Sequence, residues 1–224
     1  MPDDPGPDPL GTVPVGGPPA ARIGVFGGTF DPPHVGHLVA AINVRHALSL
    51  TTVILMVANE PWQKVGRRRI TPAADRLAMV SAAVASVDGL EAGDLEIRAG
   101  GPSYTADTLA ELALRSPGAE LFTIVGDDAA SGLLTWERVE EVIDRSSMVV
   151  VDRPGVAVEL PDLPGGARWI RVEVPHLEVS SSDLRARFSD GRPLDYLVTD
   201  PVLAVIADRH LYRSDGGDPG EAGP

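Results

Sequence analysis

A chain of 224 residues, 43% of them hydrophobic, fits one α/β domain with some sequence to spare. It contains no cysteine, which excludes disulfides, a thiolate nucleophile and Cys-based metal sites, and no run approaches the length of a membrane span. A formal charge of −13 argues against nucleic-acid binding as the main activity. It leaves nucleotide binding open, because a few local cations and backbone N–H groups suffice for a triphosphate.

Residues 1–20 are Pro, Gly and Asp with few large apolar side chains, so a disordered leader is expected there, with no signal peptide. Residues 21–213 read as a single domain and 214–224 as a flexible tail. The expected location is the cytoplasm. Arg22–Phe26 is an apolar run short enough for a buried strand. The chain then breaks at Gly27-Gly28, turns through Asp31-Pro32-Pro33 and resumes as a helix over Val35–Leu48, with Leu38, Ile42, Val39 and His46 expected inside. His34 and His37 stand three residues apart at that restart, on one helix face. A helix start offers unpaired N–H groups and the positive end of the dipole, so this is a place to hold phosphates. Ordinary helix-cap histidines are the plain alternative, and a zinc site would need further ligands.

Thr52–Ala58 is a second strand, apolar enough to be covered on both faces. The polar loop Asn59–Ile70 carries Lys64 and three consecutive arginines, a solvated basic loop on the simplest view. Thr71-Pro72 opens a helix to about Val87 with a cap residue and then proline. Leu95–Ala99 is expected as a short strand, and a helix capped by Ser103 or Thr105 follows to about Leu114. Leu121–Val125 is another buried strand, ending in Gly126-Asp127-Asp128, where open α/β sheets bind ligands. Next come a helix (Val139–Arg145), a strand (Met148–Val151), a Pro/Gly-rich loop (Gly155–Ala167) and a last strand (Trp169–Val174). Ser180-Ser181-Ser182 then opens a helix carrying Arg185, a second anion site, and Pro201–His210 is a terminal helix. Strands alternating with helices predict a Rossmann-like, mainly parallel sheet with helices on both faces and a small C-terminal helical portion.

The string Gly27-Gly28-Thr29-Phe30-Asp31-Pro32-Pro33-His34-x-Gly36-His37 resembles the signature of the His-x-Gly-His nucleotidyltransferases, and its Gly-Gly-Thr-Phe-Asp-Pro start narrows the resemblance to bacterial nicotinate-nucleotide adenylyltransferases. Four further blocks follow in that family's order over residues 22–213. Pro102-Ser103-Tyr104-Thr105 resembles the segment that holds the pyridine ring. Gly126-x-Asp128 with Trp136 resembles the next block, and Ser180-Ser181-Ser182-x-x-Arg185 resembles the one that grips the ATP phosphates. The loop after strand 2 departs from the pattern, with Trp62-Gln63 where proline and histidine are usual, and Asp127 stands where a small or amide residue is commoner.

The resemblance implies transfer of AMP from ATP to nicotinate mononucleotide, giving deamido-NAD and pyrophosphate. It makes His34, His37 and Arg185 catalytic. It assigns ATP to Gly27, Gly28, Thr29, Phe30, His34, Gly36, His37, Asp128, Ser181, Ser182 and Arg185. It assigns the mononucleotide to Tyr104, Thr105, Trp136 and Glu137, with Lys64 the first candidate for its phosphate and Asn59 the second. Trp136 as plain core is the alternative at that position. Mg²⁺ is expected, held mainly by the ATP phosphates, with no dedicated protein metal site. The expected partners are the two substrates, with no nucleic acid and no membrane; a homo-oligomer stays open. A pantetheine-phosphate or cytidylyl transferase, a nicotinamide-preferring enzyme and a nucleotide-sensing module without turnover are the competing readings.

Overall fold

The computed structural model describes residues 20–61, 70–152 and 159–212. Lys64, the expected leader apart from Ala20, and the expected tail lie outside them. Six strands, β1 (Arg22–Gly28), β2 (Thr52–Val57), β3 (Leu90–Gly93), β4 (Glu120–Gly126), β5 (Ser147–Asp152) and β6 (Ile170–Glu173), form one sheet in the order β3-β2-β1-β4-β5-β6. Every adjacent pair is parallel. The order reverses between β1 and β4, the switch point at which such sheets open a crevice beyond their strand ends.

Among the described residues eight α-helices flank the sheet: α1 (Val35–Ala47), α2 (Ala73–Val84), α3 (Leu95–Ala99), α4 (Thr105–Arg115), α5 (Asp127–Ser131), α6 (Val139–Arg145), α7 (Ser181–Asp190) and α8 (Asp200–Asp208). Alternate residues of β2 feed two separate cores, as the period of a strand requires. Val53, Leu55 and Val57 pack with Val44 of α1, Met79 of α2, Leu184 of α7 and Ile206 of α8. Ile54 and Met56 pack with Leu109 of α4 and Val142 of α6 on the opposite face. Burial on both sides is why the strand reads as an unbroken apolar run.

Three expectations are corrected. Leu95–Ala99 is a helix, and the edge strand is the preceding Leu90–Gly93. On α1 the buried side chains are Leu38, Ala40, Ala41 and Val44, whereas Ile42 is 43% exposed and His46 is exposed too. Small alanines let the helix sit close to the sheet, which turns Ile42 outward. On α2 Pro72, not Thr71, is the cap residue, and the helix begins at Ala73.

Candidate active site

The turn after β1 is built around a ring beneath a glycine. Phe30 has a left-handed backbone (φ 48°) and is buried, and its ring fills the space a Cβ on Gly28 would occupy, at 2.7 Å. The same ring meets His37 edge-on at 4.9 Å. His34 is the cap residue of α1 in extended conformation, and its N–H donates to Nδ1 of His37 (3.2 Å) while the two rings stack at 3.7 Å. An accepting Nδ1 leaves the proton of neutral His37 on Nε2, as a donor at the ring's far edge. His34 is 8% exposed and its Nδ1 has no partner among the described residues. Burial lowers its pKa to about 4, so it is a neutral imidazole at pH 7. Gly36 is required by closeness: a Cβ there would stand 2.9 Å from Val179 and 3.1 Å from His34 Nδ1.

The other half of this site comes from α7. Ser180 caps the helix by accepting from the N–H of Asp183 (3.2 Å). Ser181 Oγ donates to the carbonyl of Pro32 (2.8 Å), and Arg185 donates to the carbonyl of Asp31 (2.6 Å) and to Ser182 Oγ (3.0 Å). Tyr212, beyond α8, donates to the buried Asp31 carboxylate (2.7 Å) and its ring lies 5.2 Å from Phe188 of α7. The first turns of α1 and α7 thereby share one cavity of about 470 Å³. Gly27, Gly28, Phe30, His34, Gly36 and His37 line one side, Ser181, Ser182 and Arg185 the other, and Asp127 and Asp128 lie at the end of β4. Ten of the eleven residues expected around ATP lie here. The eleventh, Thr29, lines a different cavity.

That second cavity, of about 230 Å³, lies between the ends of β1 and β4 and the start of α4. Tyr104, Thr105, Trp136 and Glu137 line it, with Thr29, Ala58 and Glu96. The residue at the α4 cap is Tyr104, with no side-chain hydrogen bond, so neither Ser103 nor Thr105 plugs the helix start and its first N–H groups are left for a ligand. Ser103 instead accepts from the N–H of Asn59 (2.8 Å), and the Asn59 side chain donates to the carbonyl of Gly101 (2.9 Å). Asn59 thus ties two walls together and lines neither cavity. Arg138 fixes the segment after Trp136 by pairing with Asp107 of α4 (2.7 Å) over the Tyr104 ring. Trp136 is half-buried, and its Nε1 has no partner among the described residues.

Glu96 was not singled out from the sequence. Its carboxylate accepts from Thr108 Oγ1 (2.8 Å) and from Ser103, and burial raises its pKa against those bonds. Its position on a helix is what brings it to the cavity, and the alternation that suggested a strand hid it. Gly27, Gly28, Gly126 and Ala129 line both cavities, so the two are separated by little more than backbone.

A family model described as "Cytidylyltransferase-like" matches residues 25–187. The "Probable nicotinate-nucleotide adenylyltransferase" of Corynebacterium kroppenstedtii is 44% identical over 196 residues, covering 87% of this chain and 92% of its own. The protein of the same name from Streptomyces coelicolor is 42% identical over 190 residues, covering 85% and 100%. Among solved structures, a Plasmodium falciparum nicotinic acid mononucleotide adenylyltransferase complexed with NaAD superposes with a TM-score of 0.67 at 16% identity, covering 86% of this chain and 97% of that one, and shows the fold to be shared.

Proposed function

The chain belongs to the cytidylyltransferase-like family and, within it, to the nicotinate-nucleotide adenylyltransferases, and from that premise we propose how its two cavities divide the reaction. The enzyme transfers AMP from ATP to nicotinate mononucleotide, giving deamido-NAD and pyrophosphate. The 470 Å³ cavity takes the ATP and the 230 Å³ cavity the pyridine ring of the acceptor. The observation that carries this division is the glycine wall common to both, across which two phosphates approach without a side chain between them.

A phosphate oxygen of the mononucleotide is already a nucleophile, so no general base is needed. It attacks the α-phosphorus of ATP in line as the bond to pyrophosphate breaks, and catalysis is positioning plus stabilisation of developing charge. His37 Nε2–H, neutral His34, the N–H groups of Gly36, Ser181 and Ser182 at the starts of α1 and α7, and Arg185 supply that stabilisation. Among the described residues no group of three or more His, Cys, Asp or Glu could cage an ion. A Mg²⁺ arriving on the ATP phosphates would meet Asp127 and Asp128, the carboxylates at the end of β4 that line the ATP cavity, directly or through its waters. Such an ion would neutralise charge on the leaving pyrophosphate. The cytoplasm, where ATP is at hand, is the compartment this reading implies, and no described helix is long and apolar enough to cross a membrane.

Trp136 offers a face to the ring, which serves acid and amide alike, so discrimination falls to the donors around the ring substituent. Free N–H groups at Thr105 and after Trp136 suit a carboxylate with two acceptor oxygens; an amide would turn its NH₂ toward them. Mispairing in a closed site costs about 1–3 kcal/mol, a preference of roughly fivefold to over a hundredfold. The test is pyrophosphate release from ATP with nicotinate mononucleotide, nicotinamide mononucleotide and phosphopantetheine as acceptors. Nicotinate mononucleotide is expected to give the highest kcat/KM, and equal use of acid and amide would overturn the assignment of the acceptor pocket.

A further inference from the structure

We propose that Arg76 is a positioning residue that sets the gap between the two substrates. This rests on the division of the cavities above. Arg76 belongs to α2, is 1% exposed, and lines neither cavity. Its guanidinium reaches four backbone carbonyls on three separate segments. Nη1 donates to Thr29 (2.9 Å) and Ala58 (2.7 Å), Nη2 to Asn59 (2.9 Å) and Nε to Thr71 (2.8 Å).

The location of those carbonyls gives the residue its role. The ladder between β1 and β2 ends at Gly28 and Val57, with a last bond from the N–H of Ala58 to the carbonyl of Gly28 (3.0 Å). Beyond that point the chains part, one toward His34 and the other toward the basic loop. Arg76 holds them together for one more residue on each side. Thr29 and Ala58 both line the acceptor cavity, and Thr29 directly follows the glycine wall. Asn59 and Thr71 flank the 60–70 segment, so one guanidinium fixes both of its ends. A lysine could not do this, because a point charge lacks the planar fork needed to serve several fixed acceptors at once. Among the described residues Glu96, on the acceptor cavity, feels the charge of Arg76, and Asp75 of its own helix is turned to Arg209 (2.6 Å).

If Arg76 only held the fold together, its loss would lower the melting temperature and leave the kinetics of the folded fraction alone. A positioning role moves the reacting atoms, and a misplacement of about 1 Å can cost about 10²-fold in rate. The experiment compares wild type with Arg76→Lys and Arg76→Gln by melting temperature, kcat and the KM of each substrate, well below the melting transition. We expect kcat to fall at least about tenfold and the KM of nicotinate mononucleotide to rise more than that of ATP. A folded Arg76→Lys enzyme with wild-type kcat and both KM values unchanged would overturn the proposal. A second measurement does not depend on the variants folding or on the substrate assignment. Hydrogen exchange of the substrate-free wild type should find the amides of Ala58 and Asn59, just beyond the β1–β2 ladder, as protected as those within it. Fast exchange there would equally overturn it, whereas a wild type that ignores nicotinate mononucleotide but protects these amides would count against the acceptor assignment alone.

Discussion

The burial of His34 makes the stability of this protein depend on pH in a definite window. The folded-state value of about 4 lies below the ordinary imidazole value of 6.5, so the unfolded chain binds a proton that the folded chain refuses. The stabilisation is therefore fully present above pH 6.5 and is lost as the pH falls toward 4. At about 1.4 kcal/mol per pH unit the whole interval is worth about 3 kcal/mol, and about 2.5 kcal/mol of it is gone by pH 4.5. For a domain of this size that is roughly 5–10 °C in Tm. Carboxylates also titrate over this range, so the measurement is a difference. Wild type and His34→Asn, which keeps a good cap residue but cannot titrate, are melted from pH 7.5 to pH 4.5. The wild-type curve should fall by that additional amount, and the two should converge in acid. Parallel curves would refute the reasoning, because they would mean that the imidazole takes up its proton in place.

Two further substitutions test the packing and the chemistry of the site. A methyl group at Gly126 meets nothing within 4 Å in the free protein, and Gly126 has an ordinary backbone (φ −84°). Gly126→Ala should melt like wild type yet lose at least about tenfold in kcat/KM, since the added methyl stands in the wall between the cavities; an unimpaired enzyme would show that the substrates do not meet there. Tyr212→Phe removes one donor from a buried carboxylate and should cost about 1–3 kcal/mol in urea unfolding and raise the KM of ATP more than that of the acceptor. Unchanged stability would show that this bond contributes nothing to the fold.

Much of this site could be read in the sequence because its parts are local. A glycine pair after an apolar run, a histidine pair at helical spacing and three serines before an arginine each specify their own backbone. What stayed hidden depends on neighbours distant along the chain. Leu95-Glu96-Ile97-Arg98-Ala99 alternates apolar and charged residues as a strand would. It folds as a helix because β2 is already paired by Leu90–Gly93, at whose end a Cβ on Gly93 would strike Ile54 at 2.6 Å. Arg98 then pairs with Asp94 one turn back (2.7 Å). Arg76, an unremarked charge in a helix, is fully enclosed because four backbone carbonyls from three segments converge on it. Asn59 reads as a polar loop residue free for a phosphate, and it is taken up by Gly101, 42 residues away. No local pattern announces such partnerships.

The bonds joining α7 and Tyr212 to the turn after β1 have a consequence for synthesis. Ser181 reaches back 149 residues to Pro32, Arg185 reaches 154 to Asp31, and Tyr212 reaches 181 to the same aspartate. Proteins are made from the N-terminus at about 5–20 residues per second. The serines and arginine that complete the histidines' pocket therefore emerge about 7–30 s behind them at that pace. A nascent chain can pair its first strands long before it can grip a nucleotide. On the division of the cavities proposed above, ligand binding is thus a late event of biogenesis, and a chain released before Arg185 would display its histidines without the arginine that completes their cavity.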